Sequence, residues 1–268
     1  MILVPVKNLS GAKQRLAAVL DQPSRTALAQ AMLHDVLKAL HGWKTRPPVA
    51  VVTSDPYATA LAAEYEFEII PDPENPGETG AIEMATRLCV ERGADSTLVI
   101  PADIPLIQAW ELEEVLKHAP AEGSVLVPAG DGRGTNAAYR RPANLFPLRF
   151  GNDSFKPHHA AAQATGKLCV VLQLPGIAVD VDNPPDLQQL MALPGESRAQ
   201  RLLREYVSAG KYHTSPRTHS SGVGVRGGRR SRALASLAGR TNASAPTWFF
   251  LCHALALHGS TQNQRSFG

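Results

Sequence analysis

Residues 97–106 read TLVIPADIPL, a run of apolar and β-branched residues that ends in an aspartate between prolines. A strand without alternating polar residues is typical of a parallel sheet that helices cover on both faces. The prolines stiffen the backbone on either side of Asp103. This stretch predicts an α/β protein in which Asp103 lies at the carboxyl end of a buried strand.

The segments on both sides of this strand alternate between strand and helix patterns. A helix pattern with an apolar residue at every fourth position starts after Ser24, its expected N-cap, and ends near Gly42. The other predicted helices are 57–64, 80–92, 110–118, 156–164, 184–192 and 196–206, and the predicted strands are 2–6, 49–53, 68–71, 97–100, 124–127, 135–139, 168–172 and 178–181. Strands joined by helices imply βαβ units, and the less regular second half indicates mixed strand directions. We expect a three-layer α/β fold with a mixed, mostly parallel sheet.

The composition excludes several classes of protein. Of 268 residues, 44% are hydrophobic and 19% are charged, which is typical of a globular protein and not of a collagenous or wholly disordered one. The three cysteines form no CxxC pair, so neither a disulfide scaffold nor a structural zinc module is indicated. No apolar run approaches the roughly 20 residues that span a bilayer, and no signal-peptide pattern is present. We expect a cytoplasmic protein without membrane contact.

Charge divides the chain after residue 206. Residues 207–268 contain eight Lys and Arg residues and no acidic residue, whereas residues 1–206 are net acidic. The basic extension is rich in Ser, Gly and Arg and is predicted to be disordered, with one apolar patch at 248–257. Its aromatic residues lie apart from the arginine cluster, so nucleic acid is not an expected partner. The predicted organisation is a domain at 1–206 and a disordered extension at 207–268.

A loop rich in small residues and cations follows the first predicted strand. Residues 5–16 read PVKNLSGAKQRL and place Lys7, Lys13 and Arg15 where a polyphosphate can approach closely. Neither the Walker pattern nor the GxGxxG fingerprint occurs, so this is a different kind of phosphate cradle. The alternative is that the three cations are only solvated surface charges.

Acidic residues at two predicted strand ends indicate a metal site. Residues 179–187 read VDVDNPPDL, and residues two apart on a strand face the same side, so Asp180 and Asp182 can reach one cation. Together with Asp103 they offer the carboxylate oxygens that Mg²⁺ prefers. A helix-capping role is the alternative for Asp103, and Asp186 is expected to cap the next helix.

Two further stretches predict an anion pocket. Residues 132–137 read GRGTNA and residues 150–159 read FGNDSFKPHH. Glycine, hydroxyl and amide groups before a helix start can hold a phosphate or carboxylate. The alternatives are that Ser154 is an N-cap and that His158 is an ordinary helix residue. No Ser-His-Asp or Cys-His order is present, so nucleophilic catalysis has little support.

Five motifs, in order over residues 1–206, resemble one known family: VPVKNLSGAKQRL, PADIPL, GTNAA, FGNDSF and VDVDNPPDL. The chain is similar to the 2-phospholactate, phosphoenolpyruvate and 3-phosphoglycerate guanylyltransferases of deazaflavin coenzyme F-420 biosynthesis. The resemblance implies a Rossmann-like nucleotidyltransferase domain at 1–206, GTP as donor, Mg²⁺ as cofactor and a phosphorylated three-carbon acid as acceptor. The products would be a guanylated acid with a diphosphate bridge and pyrophosphate. The resemblance is also compatible with a homodimer.

The family's functional positions carry over motif by motif. The resemblance implies nucleotide binding by Lys7, Lys13 and Arg15, catalytic roles for Lys13, Arg15 and Asp103, metal binding by Asp103, Asp180 and Asp182, and acceptor binding by Thr135, Gly151 and Ser154. Residues 77–83, GETGAIE, stand where the family has a guanine-binding loop, but they lack its asparagine. This departure keeps another nucleotidyltransferase, of the CTP or sugar-phosphate type, as the first alternative. A non-catalytic nucleotide- or RNA-binding protein is the second.

Overall fold

The strands of the protein form one mixed sheet. The computed structural model describes residues 1–74, 77–151 and 153–212. Within these ranges the strands are β1 (Ile2–Pro5), β2 (Val49–Val52), β3 (Glu68–Ile70), β4 (Thr97–Val99), β5 (Gly123–Pro128), β6 (Thr135–Arg141) and β7 (Leu168–Val171), in the sheet order β3-β2-β1-β4-β6-β5-β7. Of these strands, only β6 runs antiparallel to its neighbours, β4 and β5. The predicted mixed, mostly parallel sheet is confirmed.

Helices cover both faces of this sheet. They are α1 (Gln22–Gly42), α2 (Pro56–Glu64), α3 (Glu78–Glu91), α4 (Ala109–Lys117), α5 (Phe155–Ala164), α6 (Pro184–Ala192) and α7 (Arg198–Ser208). Because successive strand residues point to opposite faces, Ile2 and Val4 pack against α1, α2 and α4, whereas Leu3 packs against α3 and α5. Helices α6 and α7 join a further apolar cluster with α1. The three-layer prediction is confirmed.

Two predicted features of the helices need correction. The N-cap of α1 is Asp21, whose carboxylate accepts a hydrogen bond from the Ser24 N–H at 2.9 Å. The helix begins at Gln22, because proline is tolerated in the first turn and Pro23 does not delay the start. Ser24 therefore lies inside the first turn. Helix α7 runs from Arg198 to Ser208, two residues later at each end than the predicted helix at 196–206.

The predicted extension, 207–268, overlaps only slightly with the part of the chain that the structure describes. Tyr212 is buried in the same apolar cluster as Tyr206. The remaining residues, 213–268, include the apolar patch at 248–257 and lie outside the described ranges. None of the helices described is long and apolar enough to cross a membrane.

The strand predicted at 178–181 is not formed. Ala178 belongs to a turn, and its carbonyl accepts from the Gly130 N–H at 2.7 Å, whereas the Val181 N–H donates to the Asp103 carbonyl at 3.2 Å. These bonds go to two different loops, so no ladder with a single partner strand can form. The two apolar residues of this alternating pattern, Val179 and Val181, are buried in the protein core.

Candidate active site

A cleft with a volume of about 800 Å³ opens at the carboxyl ends of the parallel strands. Pro5 at the end of β1, Asp103 after β4 and Gly130 after β5 all line it. Ligands of open α/β sheets bind at this edge. Every residue predicted to contact nucleotide, acceptor or metal lies on its wall: Lys7, Lys13, Arg15, Asp103, Thr135, Gly151, Ser154, Asp180 and Asp182.

Lys13 occupies the centre of the charged wall. It lies between two 3₁₀ turns, Leu9–Gly11 and Gln14–Leu16, with a φ of 55° in the left-handed region. Its Nζ donates to Asp103 Oδ2 at 2.6 Å and to Asp182 Oδ1 at 2.9 Å. Burial opposes the charge, but the two carboxylates outweigh burial and raise the pKa of Lys13. A left-handed backbone at a buried cation is the kind of strain that functional sites retain.

The other two predicted cations differ in their surroundings. Lys7 forms an ion pair with the buried carboxylate of Asp72, in the loop after β3. Arg15 is more exposed, and its Nη1 lies 3.7 Å from Asp182 Oδ2. Lys7 is therefore held in place on the cleft wall, whereas Arg15 lies beside Asp182 with 61% of its side chain exposed.

The three predicted metal ligands are not equivalent. Asp180 lies in the loop before α6, and its Oδ1 accepts from Asn136 Nδ2 at 3.1 Å. Burial, reinforced by the charges of Asp103 and Asp182, raises the pKa of Asp180 to about 6. For Asp182, burial acts in the same direction, but Lys13 and Arg15 outweigh it and lower the pKa.

Asp186 holds the loop that carries Asp182. Its carboxylate accepts from the backbone N–H groups of Asp182 and Asn183, both at 2.8 Å. The Asn183 side chain in turn accepts a hydrogen bond from the Asp186 N–H, which completes a capping box at the start of α6. The expected capping role of Asp186 is confirmed, and the cap fixes the backbone on which Asp182 stands.

The donor chemistry of these carboxylates fits a hard divalent cation, because Mg²⁺ prefers carboxylate oxygen. Lys13 Nζ donates to both Asp103 and Asp182, so it holds these two carboxylates close to each other. Across 1–74, 77–151 and 153–212, no three His, Cys, Asp or Glu side chains are arranged to hold a metal ion together. Shared coordination by these carboxylates would require Lys13 Nζ to shift.

Another part of the cleft wall, the hydroxyl wall, carries the side chains of Thr135 and Ser154. The Thr135 N–H donates to Ser154 Oγ at 3.1 Å, and Thr135 Oγ1 lies 2.9 Å from His158 Nδ1. Ser154 stands at the N-cap position of α5 but makes no side-chain cap hydrogen bond, so its hydroxyl serves Thr135 instead. Gly151 has a φ of 139°, which residues with a side chain rarely adopt.

Sequence reasoning missed two contributors to the site and left a third undecided. Asn136 binds the Asp180 carboxylate, and the Ile177 carbonyl accepts from the same amide at 2.9 Å. Glu78 begins α3 inside the stretch that lacks the expected asparagine, and burial beside Asp103 raises its pKa to about 7. His158, left between two interpretations, is fully buried against Thr135. The stretches quoted from the sequence contain all three residues, but only the fold places Asn136 and Glu78 on the cleft wall and His158 behind Thr135.

A family model and several named proteins are similar to this chain over most of its length. Residues 1–223 match the family model described as guanylyl transferase, CofC like. The chain is 39% identical over 194 residues to a phosphoenolpyruvate guanylyltransferase of Rubrobacter xylanophilus, covering 72% of this chain and 94% of that protein. It is 33% identical over 202 residues to a 3-phospho-D-glycerate guanylyltransferase of Colwellia psychrerythraea, covering 75% and 95%.

A solved structure shares the fold. It is a candidate nucleotide-diphospho-sugar transferase of Desulfovibrio desulfuricans G20, with a TM-score of 0.63 at 20% identity, covering 77% of this chain and 94% of that one. The likeness supports the Rossmann-like nucleotidyltransferase fold. The match to the family model and the two named relatives together show that the chain belongs to the CofC-like guanylyl transferase family.

Proposed function

We propose that this protein transfers GMP from GTP to the phosphate of a phosphorylated three-carbon acid and releases pyrophosphate, in coenzyme F-420 biosynthesis in the cytoplasm. The acid is phosphoenolpyruvate, 3-phosphoglycerate or 2-phospholactate, and the named relatives favour the first two. The observation that carries the proposal is that one cleft is lined both by the charged wall of Lys13, Asp103 and Asp182 and by the hydroxyl wall of Thr135 and Ser154.

The charged wall suits the triphosphate. An oxygen of the acceptor phosphate forms a bond to the α-phosphorus of GTP, and the bond from that phosphorus to the departing pyrophosphate breaks. Lys7, Lys13 and Arg15 line the cleft where negative charge accumulates on the pyrophosphate. Positioning and charge neutralisation supply most of the rate in such transfers. A phosphate oxygen is already a nucleophile, so the reaction needs no general base.

The hydroxyl wall suits the acceptor. Thr135 and Ser154 are buried yet line the cleft, and they offer a short polar surface beside Gly151, whose φ is 139°. Small polar groups and backbone N–H donors before a helix bind phosphate or carboxylate. The acid would lie against this wall with its phosphate directed toward Asp103.

Asp103, Asp180 and Asp182 would hold Mg²⁺, since their oxygens are the ligands that this ion takes up. When bound, the ion neutralises phosphate charge and helps to align the two substrates. The chain's own contribution is to keep the carboxylates oriented: Asn136 holds Asp180, and the Asp186 cap holds the backbone of Asp182. Before the ion binds, Lys13 keeps Asp103 and Asp182 adjacent through its two hydrogen bonds.

Pyrophosphate release by the purified full-length protein tests the proposal. Each of GTP, CTP, ATP and UTP is combined with Mg²⁺ and each of the three acids in turn. The proposal predicts release with GTP and at least one acid, and little release when the acid is omitted. Preference for CTP would favour another nucleotidyltransferase, and absence of release in every combination would favour a non-catalytic binding protein.

A further inference from the structure

We propose that His158 is a positioning residue, which holds the Thr135 hydroxyl with its hydrogen directed into the cleft to bind the anionic acceptor. The inference rests on the proposed function, because it concerns the acceptor side of the same cleft. His158 itself is 1% exposed and does not line the cleft, so it acts through Thr135.

The hydrogen bonds of His158 define its tautomer. The backbone N–H of Arg149 donates to His158 Nε2 at 2.7 Å, so that nitrogen must accept and carries no proton. The proton of the neutral ring is then on Nδ1, which lies 2.9 Å from Thr135 Oγ1. The imidazole therefore donates to the threonine oxygen.

This donation leaves the Thr135 hydroxyl hydrogen available. A hydroxyl has one hydrogen and two acceptor lone pairs. His158 Nδ1 donates to one lone pair, and Ser154 Oγ, at 3.4 Å, is placed to donate to the other. The remaining direction is the cleft, which Thr135 lines. A hydroxyl aligned in advance binds an anion without the entropic cost of choosing a rotamer.

The same ring braces both acceptor-binding segments. One side contacts Thr135 at the start of β6, and the other holds the backbone of Arg149, two residues before Gly151. The Phe150 ring packs edge-on against the His158 imidazole, with 5.0 Å between the ring centroids. None of these contacts reaches Lys7, Lys13 or Arg15, so a defect at His158 should weaken the acceptor site and leave the nucleotide site intact.

Two substitutions separate the two sides of the imidazole. His158→Asn keeps an N–H near the position of Nδ1 and loses the contact to Arg149, whereas His158→Gln keeps an acceptor near Nε2 and loses the donor to Thr135. We expect His158→Gln to raise the KM for the acid about tenfold, the effect of one lost hydrogen bond, and His158→Asn to raise it less than threefold. The KM for GTP should stay within twofold in both variants.

A double-mutant cycle with Thr135→Val distinguishes positioning from packing. If His158 acts through the Thr135 hydroxyl, His158→Gln adds little to the acceptor KM once that hydroxyl is gone. Equal effects of His158→Gln in both backgrounds, or equal rises in the GTP and acceptor KM, would overturn the inference. Thermal melting of each variant shows whether a change in its kinetics comes from partial unfolding of the protein.

The tautomer gives a readout that needs no turnover. Nitrogen-15 NMR of the histidine-labelled protein is expected to show a protonated Nδ1 signal that His158→Gln removes. A protonated Nε2 at the His158 ring would overturn the inference whatever the kinetics show. Failure of the wild-type protein to guanylate any acid would instead reject the proposed function. The NMR measurement of the His158 tautomer does not depend on that activity, so the two failures can be told apart.

Discussion

Replacing Asp103 with asparagine should abolish most activity and leave the fold intact. The change keeps the shape of the side chain and removes one of the two charges that hold Lys13. Lys13 retains Asp182 at 2.9 Å, and the Asp103 side chain is 28% exposed, so we expect the free energy of unfolding to fall by only about 1 kcal/mol. Loss of one preorganised charged group at the reacting phosphates should lower kcat by about 10² to 10³-fold.

Pyrophosphate release at saturating GTP and acid measures the kinetic effect, and urea unfolding measures the stability. Asp95→Asn is the matched control, because Asp95 pairs with Arg141 at the opposite edge of the sheet and is 65% exposed. The control should retain wild-type turnover. Near-normal turnover of Asp103→Asn, or an equal loss in both variants, would refute the assignment of Asp103.

Three further outcomes follow from the charges and the burial of the cleft. Burial raises the pKa of Asp180 from 3.8 to about 6, so ionising this carboxyl destabilises the fold as the pH rises between these values, and the full cost is present at pH 7. Asp180→Asn should therefore raise the free energy of unfolding at pH 7 by up to about 3 kcal/mol while lowering turnover, and an unchanged urea midpoint would contradict this. Burial, aided by Arg140, lowers the pKa of His158 from 6.5 to about 4, so the unfolded chain binds more protons between these values. Relative to His158→Gln, the wild type should lose up to about 3 kcal/mol of unfolding free energy as the pH falls from 6.5 to 4, as parallel urea titrations of the two proteins would show. Lys13→Met should lower kcat/KM for GTP by at least about 10²-fold, and Lys13→Arg by less, as pyrophosphate assays would show.

The fold could be predicted because the strands have clear local signals. The apolar runs at 2–6, 49–53 and 97–100 contain the strands β1, β2 and β4, and the loops that follow them meet at one sheet edge. Parallel strands present their carboxyl ends together, so residues distant in sequence were expected at a common cleft. The prediction of a common cleft needed only the order and direction of the strands, and not the exact residue at which each strand ends.

The ion pairs of the site could not be predicted in the same way. Lys13 meets Asp103 and Asp182 across 90 and 169 residues, and Lys7 meets Asp72 across 65. No local pattern encodes a pairing over such a separation. The alternation in VDVD resembled a strand, yet the backbone there bonds to two loops, so Asp180 and Asp182 reach the cleft from a loop and not from one strand face.

The chemical identity of the product tests the central claim most directly. The purified protein is incubated with GTP, Mg²⁺ and phosphoenolpyruvate or 3-phosphoglycerate, and the product is examined by phosphorus-31 NMR and mass spectrometry. The account predicts two mutually coupled phosphorus signals from a diphosphate bridge and the mass of GMP joined to the acid with loss of water. Unchanged GTP, or GMP with an unmodified acid, would contradict it.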